Sequence, residues 1–259
     1  MSWLETEWRA IACATQFLTR IPIATKTIFD NRDYSNSLAW YPLVGLLIGV
    51  FLLLMGELLF ETSSVILGAA IILTVWVLLT GALHLDGVGD CADAWVGGFS
   101  DPQRTLTIFK DPRSGPIAVV VLVLLLLLKW AALTVLIGSQ FWLVIGLIPL
   151  ISRSAIPFIF WRFNYISSSG LGSSLADGLS VRRVVFSLLA VALAVLALLA
   201  EQWRILCLFF VIYWVIVLWW KRACYKKLGG FNGDCAGAII ELLELGLLMG
   251  LAFYSNTLL

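Results

Sequence analysis

The 259-residue chain is 61% hydrophobic and only 13% charged, with 17 Lys and Arg against 16 Asp and Glu for a formal net charge of +1. A soluble domain with that balance would expose large apolar patches to water, so the solvent for most of this surface must be lipid. The near-neutral sum excludes a bulk attraction to nucleic acid or any other polyanion and makes the placement of charge the informative quantity.

The N-terminus carries Glu5 and Glu7 and lacks a basic stretch leading into an apolar core and a small-residue cleavage site, so no cleaved signal peptide is expected. Residues 2–21 repeat apolar positions at Leu4, Trp8, Ile11, Thr15 and Leu18, with Ser2 and Glu5 spaced as a capping box and Pro22 following. This pattern predicts an amphipathic interfacial helix over residues 1–22. The alternative, an eighth span, is weakened by Glu5, Glu7, Arg9 and Arg20 in so short a stretch. A bilayer core takes ~20 apolar residues per helix. Runs of that kind fall near 38–60, 65–83, 116–137, 141–161, 184–200, 205–220 and 236–253. The fold class expected is therefore an all-α polytopic membrane protein of about seven transmembrane helices plus the interfacial helix, in a single integral membrane domain covering 1–259. Gly138-Ser139-Gln140 is so short a hinge that its two helices should form a tight antiparallel pair.

With the N-terminus inside, the lysines and arginines outside the predicted spans fall on inner segments, Arg204 excepted. The inside excess of Lys and Arg sets orientation, so the N-terminus and the loops near 84–115, 162–183 and 221–235 are expected in the cytoplasm. The five cysteines, Cys13, Cys91, Cys207, Cys224 and Cys235, are odd in number and never spaced as CxxC. Neither a disulfide framework nor a zinc site is signalled, and they read as small buried hydrophobes.

Chemistry is suggested by Thr80-Gly-Ala-Leu-His-Leu-Asp-Gly-Val-Gly-Asp-Cys-Ala-Asp93, at the inner end of a span. If the helix continues, Asp86, Asp90 and Asp93 lie at i, i+4 and i+7 on one face, where like charges repel unless a cation neutralises them. Oxygen-only ligands favour a hard ion such as Mg²⁺, which keeps waters and binds phosphates beside a few carboxylates. A solvated acidic helix end is the plainer alternative. Gly81, Gly87 and Gly89 permit close helix packing or close approach of a ligand. His84, the only histidine, is a candidate to orient a carboxylate, bind phosphate or relay a proton, on proximity alone.

A second acidic segment, Gly229-Gly-Phe-Asn-Gly-Asp-Cys-Ala-Gly-Ala-Ile-Ile-Glu-Leu-Leu-Glu244, runs into the last span. Asp234, Glu241 and Glu244 can all point to the bundle interior, where an unpaired carboxylate is costly. A helix cap at Asn232 or Asp234 explains part of this segment but not two buried glutamates. Between the two acidic elements, Ser100 or Asp101 before Pro102 predicts the N-cap of a short surface helix ending near Lys110. The turn after it, with Asp111, Arg113, Ser114 and Gly115, offers cations, a hydroxyl and backbone donors of the sort that hold phosphate. An ordinary inside-facing loop explains its composition equally well. Arg153, flanked by Ser152 and Ser154 inside a span, is the better substrate-facing cation, whereas Lys129 reads as a snorkelling or paired lysine.

The two acidic segments and Lys110-Asp-Pro-Arg-Ser-Gly115 closely resemble the cobalamin synthase family, the adenosylcobinamide-GDP ribazoletransferases. The likeness extends to Phe17-Leu-Thr-Arg-Ile-Pro22 and Tyr41-Pro-Leu-Val-Gly45 and so covers nearly the whole chain in order. Val88, Gly89 and Phe231-Asn232 depart mildly from the family pattern, and no acid is lost. The resemblance implies Mg²⁺-dependent joining of adenosylcobinamide-GDP to α-ribazole or α-ribazole 5′-phosphate, giving adenosylcobalamin or its 5′-phosphate and releasing GMP. It also implies a bacterial inner-membrane location with the site on the cytoplasmic side. The lipid bilayer is then a partner, nucleic acid is not, and a homo-oligomer or docked corrin-assembly enzymes stay open. On this reading Asp86, Asp90, Asp93, Asp234 and Glu241 hold metal, and Asp90, His84 and Asp86 carry the chemistry. Lys110, Asp111, Arg113, Ser114, Arg153, Asn232 and Glu244 would contact substrate. The geometric expectation is one polar cavity, with Asp86, Asp90 and Asp93 facing Asp234 and Glu241 and the Asp111 turn at its rim. The competing class is a cation- or proton-coupled membrane transporter, because intramembrane acids often mark ion pathways. The main acids sit at a helix end rather than the midplane, and the two Gly-Asp elements are only a faint repeat, which weighs against transport.

Overall fold

A computed structural model describes residues 2–23, 28–60, 64–99, 101–111, 113–138, 141–167 and 170–256. Ser100, Pro112 of the motif at 110–115, Ser139 and Gln140 lie outside the described residues. The α-helices of the described chain are, in order, α1 (Trp3–Leu18), α2 (Asn31–Ser37), α3 (Tyr41–Phe60), α4 (Val65–Thr80), α5 (Leu83–Gly97) and α6 (Pro102–Ile108). They are followed by α7 (Pro116–Gly138), α8 (Trp142–Arg162), α9 (Leu171–Ala176), α10 (Val181–Leu198), α11 (Trp203–Leu228) and α12 (Gly233–Asn256).

Six of these helices, α3 with its lead-in from Asn31, α7, α8, α10, α11 and α12, are long and apolar enough to cross a bilayer, and α4 with α5 makes a seventh if the bent pair is one span. The protein is thus a multi-pass membrane protein of the predicted class. One expectation fails locally. The helix carrying Thr80 does not continue into the aspartates, because Gly81 and Ala82 both take the left-handed conformation, at φ 64° and 57°. They turn the chain by 88°, so α5 begins as a new helix lying across the end of α4. Asp101, not the position before it, caps α6 by accepting from the Gln103 and Arg104 amides. The spans α10 and α11 run past the predicted 184–200 and 205–220 at both ends, apart from the C-terminal end of α10.

Helix α8 is the most deeply buried span and packs along α3 so closely that a Cβ on Gly49 would meet the Gly146 carbonyl oxygen at 1.8 Å. Helix α12 is the other central element, touching α5, α7, α8 and α11, and its Ile239, Leu243, Leu247 and Leu251 are fully buried. Helix α1 packs on α2 and α3 through Ala10, Ala14 and Leu18. Leu4 and Trp8, expected on its apolar stripe, are exposed beside Trp3. That outward aromatic face suits an interfacial helix, whose ring edges belong at the headgroup level. Arg9 holds α1 to α2 with its Nε donating to both Asp33 carboxylate oxygens, at 3.0 and 3.1 Å.

Candidate active site

Helix α5 presents Asp86 and Asp90 one turn apart, on the surface nearest the start of α12. The two helices approach at Gly87, where a Cβ would lie 2.6 Å from the carbonyl oxygen of Asp234. Only the missing side chain lets the backbone of α12 come so near, and this contact brings the three carboxylates into one neighbourhood. Asp90 feels the negative charges of Asp86 and Asp93, and Asp234 those of Asp90 and Asp86. None of Asp86, Asp90 and Asp234 is in an ion pair among the described residues.

Local structure at the start of α12 explains why Asp234 is held there. Gly229 ends α11 with a left-handed turn, at φ 75°, and the Cys235 amide donates to the Asn232 carboxamide oxygen at 2.9 Å. The same carboxamide donates its N–H to Asp234 at 3.0 Å, so Asn232 both caps the helix and orients the carboxylate. The strap after α8 is tied to this turn by two backbone hydrogen bonds, Phe231 to Asn164 and Ile166 to Phe231, each 3.0 Å. Phe160, Tyr165 and Phe231 pack edge to face or stacked around the joint.

Asp86, His84, Gly87, Asn232 and Asp234 line a cavity of about 350 Å³ whose opposite wall is aromatic and apolar, from Phe17, Phe160, Tyr165 and Leu175. His84 is buried, with a Nδ1 that finds no hydrogen-bond partner among the described residues. A Cβ on Gly237 would lie 3.5 Å from the His84 Cα.

Other predicted residues lie elsewhere. Asp93 accepts from the Gly115 amide and, at 2.9 Å, from the Ala118 amide. Its carboxylate satisfies the free N–H groups at the start of α7 and is neutralised there by the helix end. Glu241 and Glu244 do not face the aspartates. Both accept from the Lys129 ammonium at 2.6 Å, and Glu244 also accepts from Arg153, in a fully buried cluster of α7, α8 and α12. Lys129 is therefore the paired lysine the sequence allowed. Arg153 does not line the cavity, and its Nε and Nη2 find no partner among the described residues. The expected single cavity thus resolves into two charged stations, an open one of Asp86, Asp90 and Asp234 and a buried ionic one beneath it. Asp111 and Arg113 form an exposed 2.8 Å ion pair that does not line the cavity, although Gly115 ties their turn to α5 through Asp93. The Arg113 guanidinium and amide hydrogen bonds hold the Asp111 carboxyl down to about 2. Lys110 and Ser114 lie on the same turn and are likewise absent from the cavity wall.

Cys13, Cys91, Cys224 and Cys235 are buried as the sequence implied, whereas Cys207 is exposed. What the sequence reading missed is their meeting: Cys91 and Cys235 bring their sulfurs to 3.8 Å, with the free Cys224 thiol hydrogen-bonded to Cys235, next in sequence to Asp90 and Asp234. A signal was present: Gly-Asp-Cys-Ala occurs at 89–92 and again at 233–236, and the two copies pack face to face. Lys227, near the end of α11, was also missed. It donates to the Trp95 and Phe99 carbonyls and so places a cation at the C-terminal end of α5.

Among the described residues no group of three or more His, Cys, Asp and Glu side chains closes into a metal cage. Mg²⁺ does not ask for one, since it commonly takes one or two carboxylates and completes its shell with water and phosphate. Asp86 and Asp234, two carboxylates on the cavity wall without a cationic partner among the described residues, fit that donor set, with Asp90 one turn away on α5. The family model for cobalamin-5-phosphate synthase matches residues 10–252. The chain is similar to an adenosylcobinamide-GDP ribazoletransferase of Pseudomonas fluorescens strain Pf0-1, 47% identical over 93% of this chain and 98% of the relative. Proteins of the same name from Pseudomonas putida strain F1 and Stutzerimonas stutzeri strain A1501 are 48% and 47% identical, each over 92% of this chain and 96% of the relative. No solved structure matches the chain.

Proposed function

The chain belongs to the cobalamin-5-phosphate synthase family, and from that premise we propose that it joins adenosylcobinamide-GDP to α-ribazole or α-ribazole 5′-phosphate. The products are adenosylcobalamin or its 5′-phosphate, and GMP. The observation that carries the reading is the meeting of Asp86 and Asp234 on the cavity wall, with Asp90 one turn along α5 close enough to act on Asp234 and no cation paired to any of the three among the described residues. An alcohol of the ribazole sugar attacks the phosphorus nearest cobinamide, a new P–O bond forms, and the anhydride bond to GMP breaks. Such displacement relies on positioning and on neutralising the charge that develops on phosphoryl oxygens. Mg²⁺ held by Asp86, Asp90 and Asp234 would supply that neutralisation. Asp90 takes the proton of the attacking alcohol, and His84 donates or accepts a hydrogen bond from the cavity floor.

At about 350 Å³ the cavity lies at the small end of ligand pockets, enough for one nucleoside-sized group and too small for a corrin ring. Ribazole therefore sits inside, its flat base against Phe160 and Tyr165, and the corrin ring stays at the mouth. The basic residues cluster at the cavity end of the bundle, which supports a site facing the cytoplasm of a bacterial inner membrane. The test is turnover by the purified full chain in detergent with Mg²⁺, adenosylcobinamide-GDP and α-ribazole 5′-phosphate. Mg²⁺-dependent release of GMP with formation of the joined corrinoid is expected. Ion uptake by proteoliposomes without any such product would overturn the proposal in favour of transport.

A further inference from the structure

Helix α10 packs on α8 and on the turn at 38–40, and a groove of about 980 Å³ opens between α10, α1 and α3. Its long walls are apolar, from Leu43, Leu46, Leu150, Val191 and Leu198, and small residues at Ala190 and Ala194 keep it open. From Arg182 to Leu198 the groove follows α10 for roughly 24 Å at the rise of an α-helix, most of a ~30 Å hydrocarbon core. One end is charged. Arg182 is exposed and in no ion pair among the described residues. Arg183 donates through Nη2 to Glu7, which also accepts from the Trp40 indole at 3.0 Å. Its Nη1 is buried and finds no partner among the described residues. Ser180 gives no side-chain cap, so the first amides of α10 are free at the same place.

We propose that this groove holds one glycerophospholipid with an anionic headgroup, drawn from the leaflet at the basic end of the molecule. Its phosphate accepts from the exposed Arg182 guanidinium and from the first amides of α10, and its acyl chain lies along Leu43, Leu46 and Val191. Glu7 neutralises one of the two guanidinium charges, so the mouth keeps a net positive charge that favours an anionic over a zwitterionic headgroup. A second apolar protein helix would fill the apolar length but would leave the exposed Arg182 guanidinium at the mouth without an anion. A lipid phosphate answers both ends of the groove.

The test is native mass spectrometry of the full chain released from nanodiscs of equal phosphatidylglycerol and phosphatidylcholine. Wild type should retain phosphatidylglycerol over phosphatidylcholine by roughly fivefold, the ratio for about 1 kcal/mol per basic side chain at a membrane surface. Arg182→Gln should abolish the preference, and Ala194→Phe, which fills the apolar length, should reduce retention of both lipids. Arg222→Gln, a basic residue at the same end outside the groove, should leave retention unchanged, and inorganic phosphate should not displace the lipid. Equal retention of the two lipids by wild type, loss in Arg222→Gln as large as in Arg182→Gln, or a lipid-free dimer mass would each overturn the proposal.

Discussion

Replacing Gly87 by alanine tests the approach of α5 and α12 without touching any charge. The new Cβ would lie 2.6 Å from the Asp234 carbonyl oxygen, whereas ordinary contact begins at 3.4 Å, and that oxygen belongs to a backbone that cannot rotate away. One helix must therefore move by about 0.8 Å. A displacement near 1 Å in a positioning element lowers turnover by ~100-fold. The loss should appear in kcat together with a higher Mg²⁺ requirement, because Asp234 moves away from Asp86 and Asp90. Gly68→Ala is the control, since a Cβ there meets nothing within 4 Å. Both variants should be compared for GMP release and for thermal unfolding in detergent. Wild-type turnover and Mg²⁺ dependence in Gly87→Ala would refute the claim that this contact assembles the site.

Asp86→Asn, Asp90→Asn and Asp234→Asn should each stay folded and membrane-inserted yet lower turnover by at least ~100-fold, the scale of losing transition-state charge stabilisation. Arg204→Ala, at the other end of the bundle, should keep activity, and near-normal rates in all three asparagine variants would remove the metal proposal. Lys129→Met should lower the thermal midpoint strongly, by the ~3–5 kcal/mol of stranding a buried carboxylate, because Glu241 loses its ion-pair partner; an unchanged midpoint would mean the cluster contributes no stability. With Cys207 replaced by alanine, a cysteine at Gln202 should react with an impermeant reagent from outside and one at Gln103 only after the membrane is opened. The reverse pattern would invert the topology.

How far the sequence disclosed this protein depended on the range of each interaction. The spans were legible because lipid imposes a local rule, a long apolar run, that every segment must satisfy within itself. The spacing of Asp86, Asp90 and Asp93 was legible for the same reason, yet their roles were not. A helix turn places three acids on one face but cannot say which meets a partner from far along the chain. Asp93 finds the start of α7, 22 and 25 residues away, and becomes a cap. Glu241 finds Lys129 across 112 residues and becomes half of a buried ion pair. In each case a charge that looked free in sequence is neutralised by tertiary structure. Of the candidate acids singled out in the sequence, Asp86, Asp90 and Asp234 are left without a cation among the described residues. Buried or half-buried charge is tolerated only when something balances it. On the proposed reading, the carboxylates that the fold leaves unbalanced are where an ion and a phosphate would complete the structure.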